Sequence, residues 1–185
     1  MASLLAALAL GACTHTPSED GVARDRGDVA WEEHTSAQFH YTVALPPSWT
    51  LAAQTLTPNL GSPKEILSFG TYGLRPGGPR CAQYPVDALE DLGPTDAFAT
   101  IQETNPSRRF VSRPEHLEAL AVPRNGKKHL EAPDCLSDPD KAMSMWWIPF
   151  RDEGRAFYLL AAIGPQASDG TRDTLWEILD GIRFI

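Results

Sequence analysis

The sequence predicts an α+β domain with a mostly antiparallel sheet covered by helices, and three stretches carry this reading. Phe39, Tyr41, Val43 and Leu45 alternate with His40, Thr42 and Ala44, the period of a half-buried strand. Met143 to Phe150 and Ala156 to Ile163 are two apolar runs separated by the turn-forming Arg151-Asp152-Glu153-Gly154-Arg155. Near the C-terminus Leu175, Ile178, Leu179 and Ile182 recur at helical spacing, with Arg172, Asp173, Glu177 and Asp180 on other faces.

From the N-terminus, Leu4 to Leu10 is an uncharged apolar run, far short of the roughly 18 to 20 residues that span a membrane. It reads as the apolar region of a secretory leader, residues 1–12. Leu10-Gly11-Ala12-Cys13 resembles the bacterial lipobox, which implies that Cys13 is the lipidated first residue of the mature chain. A thiolate is the nucleophile that can accept a diacylglycerol as a thioether, and two acyl chains anchor stably. No Lys or Arg precedes Arg24, so the missing positive region predicts a natural start upstream of Met1. Residues 13–30 lack apolar periodicity and read as a disordered tether. A coil of about 16 residues has an r.m.s. span of roughly 20 to 24 Å.

The globular domain is expected over 31–185. Pro46-Pro47 ends the first strand, and Trp49 to Ala53 is expected to return beside it as a hairpin. Ile66 to Tyr72 reads as a third strand. PVDALEDLG reads as a short helix, with Pro85 or Val86 in its first turn and Gly93 as its stop. Asp96 to Glu103 alternates and is another strand. Between Thr104 and Asp140 recurrent prolines break the pattern, and RPEHLEALAV predicts either a short strand or a helical turn.

The 143–163 hairpin is expected to turn through a type I turn followed by a left-handed residue at Gly154. Its strands are apolar on both faces, with Met145 and Trp147 on one side and Trp146 and Ile148 on the other. Such strands belong in a sheet covered on two sides. Ser168 can cap the final helix, Gly181 stops it, and Ile182 to Ile185 can form a terminal edge strand.

Two further cysteines, Cys81 and Cys135, sit in Pro/Gly/Asp-rich loop sequence and are expected to pair once Cys13 carries lipid. Such a bridge contributes up to roughly 4 kcal/mol. A net charge of -8 argues against nucleic acid as a partner. The basic clusters Arg108, Arg109 and Arg113, and Arg124, Lys127, Lys128 and His129, read as solvated loops.

In outline over 39–185, the order strand, PP-turn, strand, late hairpin, amphipathic helix and closing IRF resembles the PsbP/Mog1-like α/β/α sandwich. PFRDEGRAFYLLAAIG, LWEILDGIRF and FGTYGLRPGGPRC look like a family of uncharacterised actinobacterial exported lipoproteins. The resemblance implies a cell-surface location and a binding or assembly role without catalytic residues.

The residues themselves hold no nucleophile elbow, phosphate loop or zinc spacing, so no catalytic residue, metal or cofactor is assigned. His116, beside Glu115 and Glu118, reads as a surface histidine, and Asp134, Asp138 and Asp140 as a plain acidic loop. Trp49, Trp146 and Trp147 could line a ligand cleft, although core positions suit them better. Trp146, Arg151, Asp152 and Arg155 are the candidate binding surface. The expectation is a non-catalytic module tethered to the outer face of the bacterial cytoplasmic membrane, meeting an envelope protein or small ligand. The alternatives are a small envelope enzyme with a site in the 104–140 loops, or a carrier of a small apolar ligand.

Overall fold

The computed structural model describes residues 30–57, 61–77, 81, 83–121, 135–138 and 140–185. Cys13, the leader, the tether up to residue 29, the 124–129 basic cluster and Asp134 lie outside the described residues. The elements run β1 (Glu32–Ser36), β2 (Tyr41–Leu45), β3 (Thr50–Leu51), β4 (Lys64–Gly70), α1 (Val86–Asp91), β5 (Ala97–Thr104) and β6 (Val111–Ser112). A 3-10 turn (Leu117–Leu120), β7 (Ser144–Asp152), β8 (Arg155–Ile163), α2 (Asp169–Gly181) and β9 (Arg183–Phe184) follow. The fold is α+β with two sheets, ordered β1-β2-β9 and β3-β4-β5-β8-β7-β6. Every pairing is antiparallel except β6 with β7. No helix among the described residues is long and apolar enough to cross a membrane.

The two-sided apolar pattern of β5, β7 and β8 places two cores on opposite faces of the large sheet. On one face Ile101, Ile148, Phe150, Phe157 and Leu159 meet Leu175, Ile178 and Leu179 of α2, with Val43 and Leu45 of β2 and Phe184 of β9. On the other, Phe98, Met145, Leu160 and Ala162 meet Val86, Ala88 and Leu89 of α1, together with Leu56 and Leu136. Each fully buried Leu, Ile or Phe contributes about 1.5–3 kcal/mol, so these residues dominate stability. Ser168 starts α2 as expected, its hydroxyl accepting from Thr171 N–H at 3.0 Å.

Three expectations are corrected, and one strand, β1, is added. Trp49 to Ala53 does not return beside β2. β3 pairs with β4, through Thr50 opposite Gly70 and Leu51 opposite Phe69, and Trp49 packs on Phe69 at 5.8 Å. The bond from Trp49 N–H to Pro46 O closes a turn that carries the chain to the other sheet, and β2 is instead flanked by β1 and β9. β1 carried no apolar alternation because it is an exposed edge strand. The β7–β8 connection is a two-residue loop, Glu153-Gly154, with φ of 49 and 75° and Asp152 opposite Arg155. Positive φ at both positions is the type I′ geometry, whose twist matches the strands, so it replaces the expected type I turn. Finally, α2 includes Gly181 and is capped by Ile182.

Candidate functional site

The hairpin-tip charges are anchors of the fold. Arg155 forks onto Glu103 at 2.8 and 2.9 Å, donates to the carbonyls of Phe39 and His40, and covers the ring of Phe157. That hydrogen-bonded fork holds the Glu103 carboxyl below its ordinary range. Asp152 accepts from Arg113 at 2.8 Å. The same guanidinium donates to the carbonyls of Leu179, Asp180 and Ile182, so it caps the C-terminal end of α2. Arg151 is exposed and bonds Ser107 O. Trp146 stands five residues from Arg151 along β7, roughly 17 Å, and meets Trp176 edge-on at 5.7 Å. The tip charges and Trp146 therefore form no single patch.

The tryptophans also separate. Trp49 and Trp146 pack against the α2-side core, whereas Trp147, one residue on, packs against the α1-side core. There Trp147 belongs to an aromatic strip drawn from four segments. Tyr84 lies 5.6 Å from Trp147, Trp147 4.9 Å from Tyr158, and Tyr158 5.0 Å from Phe110. Tyr84, Trp147 and Tyr158 are half-buried.

Gln102 stands opposite Tyr158 in the β5–β8 register. It is fully buried; its Nε2 donates to Gln83 O at 2.6 Å and its Oε1 has no partner among the described residues. Half of the strip was legible, since the alternation of β7 and β8 places Trp147 and Tyr158 on one face. Tyr84 was not, because a distant loop delivers it.

That loop is set by the cysteines. Cys81 and Cys135, both half-buried, are joined with Cα atoms 5.9 Å apart and 54 residues between them in sequence, as their loop settings predicted. The carbonyl of Cys81 accepts from Tyr84 N–H at 2.8 Å. The Cys135 side is held on α1, where Ser137 donates N–H and hydroxyl to Glu90 Oε1 at 2.9 and 2.7 Å.

Further along the same face, Glu65 is 2% exposed and accepts four hydrogen bonds. Its donors are Leu56 N–H at 2.8 Å, Thr57 N–H and hydroxyl at 2.7 Å each, and Ser68 hydroxyl at 2.6 Å. A register shift between Glu65 and Leu67 brings Glu65 and Ser68 to one face, which strand residues three apart ordinarily cannot share.

His116 sits at the start of the 3-10 turn with Nδ1 3.0 Å from Asp180 Oδ2, while Asp180 Oδ1 accepts from Leu117 N–H. The hydrogen bond to Asp180, then its charge, raises the imidazole above its ordinary 6.5. A raised folded value means the stabilisation is complete below about pH 6.5 and is lost as pH rises through the folded value. The melting temperature of His116→Gln should therefore trail that of the native chain near pH ~5.5 and match it by pH ~9. A difference that did not vary with pH would refute the pair.

Among the described residues no group of three or more His, Cys, Asp or Glu side chains could hold a metal. Asp138 and Asp140 are exposed, and Asp140 N–H bonds Asp138 Oδ1. A scan of protein-family models finds no match to this chain, and a search of curated proteins finds no similar sequence.

Proposed function

We propose that this chain is a membrane-tethered extracytoplasmic lipoprotein whose domain works as a non-catalytic binding or assembly module. The observation that carries the location is the pairing of Cys81 with Cys135. A disulfide persists in an oxidising compartment, and this pairing leaves Cys13, behind an apolar leader, as the cysteine of the three outside the bridge. Lipidation at Leu10-Gly11-Ala12-Cys13 accounts for that thiol. The PsbP/Mog1-like sandwich is the fold we read here, and α1 and α2 on opposite faces of the six-stranded sheet support it.

The contact surface we assign is the strip of Tyr84, Trp147 and Tyr158. Half-buried aromatic rings offer large apolar area at low conformational cost and are the side chains that most often anchor contacts. The hairpin-tip charges, engaged within the fold, are better read as its fastenings.

In a bacterium that processes lipoproteins, Cys13→Ala should move the protein from the membrane to the soluble fraction and remove the lipid mass. Unchanged membrane association would overturn the tether. For the binding role, a photoreactive phenylalanine at position 84 should yield a discrete crosslinked product in cells. That product should disappear in a Trp147→Ala background that retains native circular dichroism, and a crosslink indifferent to Trp147 would count against the strip.

A further inference from the structure

The strip is assembled from two unequal parts. Trp147 and Tyr158 stand on β7 and β8, the best-paired strands of the sheet, whereas Tyr84 stands in a turn that its own N–H closes onto Cys81 O. Two fastenings join this turn to the rest of the face. One is the bond to Cys135, whose own segment is gripped by Glu90 of α1. The other is the Gln102 amide, which donates to Gln83 O.

The second fastening is incomplete. Gln102 Oε1 is buried and has no partner among the described residues, so of the two ends of this carboxamide only Nε2 is seen to hold the turn. The covalent bond is therefore the stronger of the two ties, and both cysteines are half-buried rather than enclosed in the core.

We infer that the Cys81–Cys135 disulfide is a redox latch on the contact surface. Oxidised, it holds Tyr84 against Trp147. Reduced, it releases the Cys81–Tyr84 turn and bares Trp147 and Tyr158 while the sheet stays folded. The reductant is a dithiol. Its thiolate attacks one sulfur, the S–S bond breaks, and a mixed disulfide forms that the second thiol of the reductant resolves. Two electrons and two protons pass to Cys81 and Cys135, and the dithiol leaves as a disulfide. The functional meaning of this latch rests on the binding reading above, but its test needs no partner.

The full chain is compared before and after reduction by dithiothreitol, using hydrogen exchange and acrylamide quenching of tryptophan fluorescence. Amides of 83–84 and 135–138 should quicken on reduction about tenfold or more beyond whatever change 97–104 and 155–163 show, since those core strands report only the loss of the bridge's contribution to the whole fold. Quenching should rise in the native chain and not in Trp147→Phe. The Cys81→Ser, Cys135→Ser double variant should behave as the reduced protein under all conditions. Unchanged exchange at 83–84 would show that the bond does not hold the turn. Exchange that quickens across β5 and β8 by as much as it does at 83–84 would show a staple for the whole fold with no separate release of the turn. Either result overturns the latch. Failure of the binding reading is separate: it appears as absence of a Trp147-dependent crosslink in the oxidised and the reduced forms alike.

Discussion

Replacing Glu65 with alanine is expected to destabilise the protein by about 4 kcal/mol. The carboxylate is buried on β4 and takes two main-chain donors, Leu56 N–H and Thr57 N–H, that belong to a segment without a strand partner of its own. Buried N–H groups must be paired, and each one left unpaired costs about 1–3 kcal/mol. The two hydroxyl donors can adapt: Ser68 already lies 2.8 Å from Thr100 Oγ1 and can turn to it. The two amides cannot, so they set the size of the effect.

For a chain of this length the loss corresponds to roughly 8–16 °C in melting temperature. Glu65→Gln keeps the volume but turns an N–H toward donors, and should recover only part of the stability. The measurement is chemical denaturation of the disulfide-intact protein. A midpoint for Glu65→Ala within error of the native value would remove Glu65 from the account of the fold.

Gly164→Ala is expected to cost about 3 kcal/mol for a different reason, close approach of two backbones. Gly164 follows β8, where its N–H donates to Asp96 O at 2.8 Å. A Cβ built there falls well inside 3.0 Å of Gly93 O and of the carbonyl carbon and oxygen of Pro94. These are main-chain atoms, held further by the bond from Gln166 N–H to Pro94 O, and cannot swing aside as a flexible side chain would. Gly181 is the matched control. A Cβ there meets nothing within 4 Å, so Gly181→Ala in the last turn of α2 should be neutral or stabilising by up to about 1 kcal/mol. Equal melting temperatures for the two variants would contradict the close approach at Gly164.

Much of the fold was legible because periodicity is a local property. The facing of Ala97, Ala99 and Ile101 against Phe98 on β5 needed only the two-residue repeat, as did the two faces of the 143–163 hairpin. The α2 helix and its Ser168 cap followed from spacing and hydroxyl chemistry within one turn. The turn at 153–154 was found by composition, but its type depends on how the flanking strands twist. For the same reason β3 was assigned to the wrong partner. The run Trp49 to Ala53 carries no sign of which strand edge is open, and the open edge belonged to β4.

The candidate site divides along the same line. Side-chain type showed which groups could act; position showed what they do. Arg155 and Asp152 read as free turn charges until the fold brought Glu103 and Arg113 beside them. Trp146 and Trp147 were already on opposite faces by alternation, and the structure decided which core each one meets.

By itself, then, the sequence determined the α+β class, the buried face of each long element and the pairing of Cys81 with Cys135, since alternation, helical spacing and cysteine arithmetic are written into the chain order. The tertiary structure alone decided the strand partners, the four-donor grip on Glu65 and the joining of Tyr84 to Trp147 and Tyr158. Those contacts link residues tens of positions apart, and their energies exist only once the intervening chain has closed.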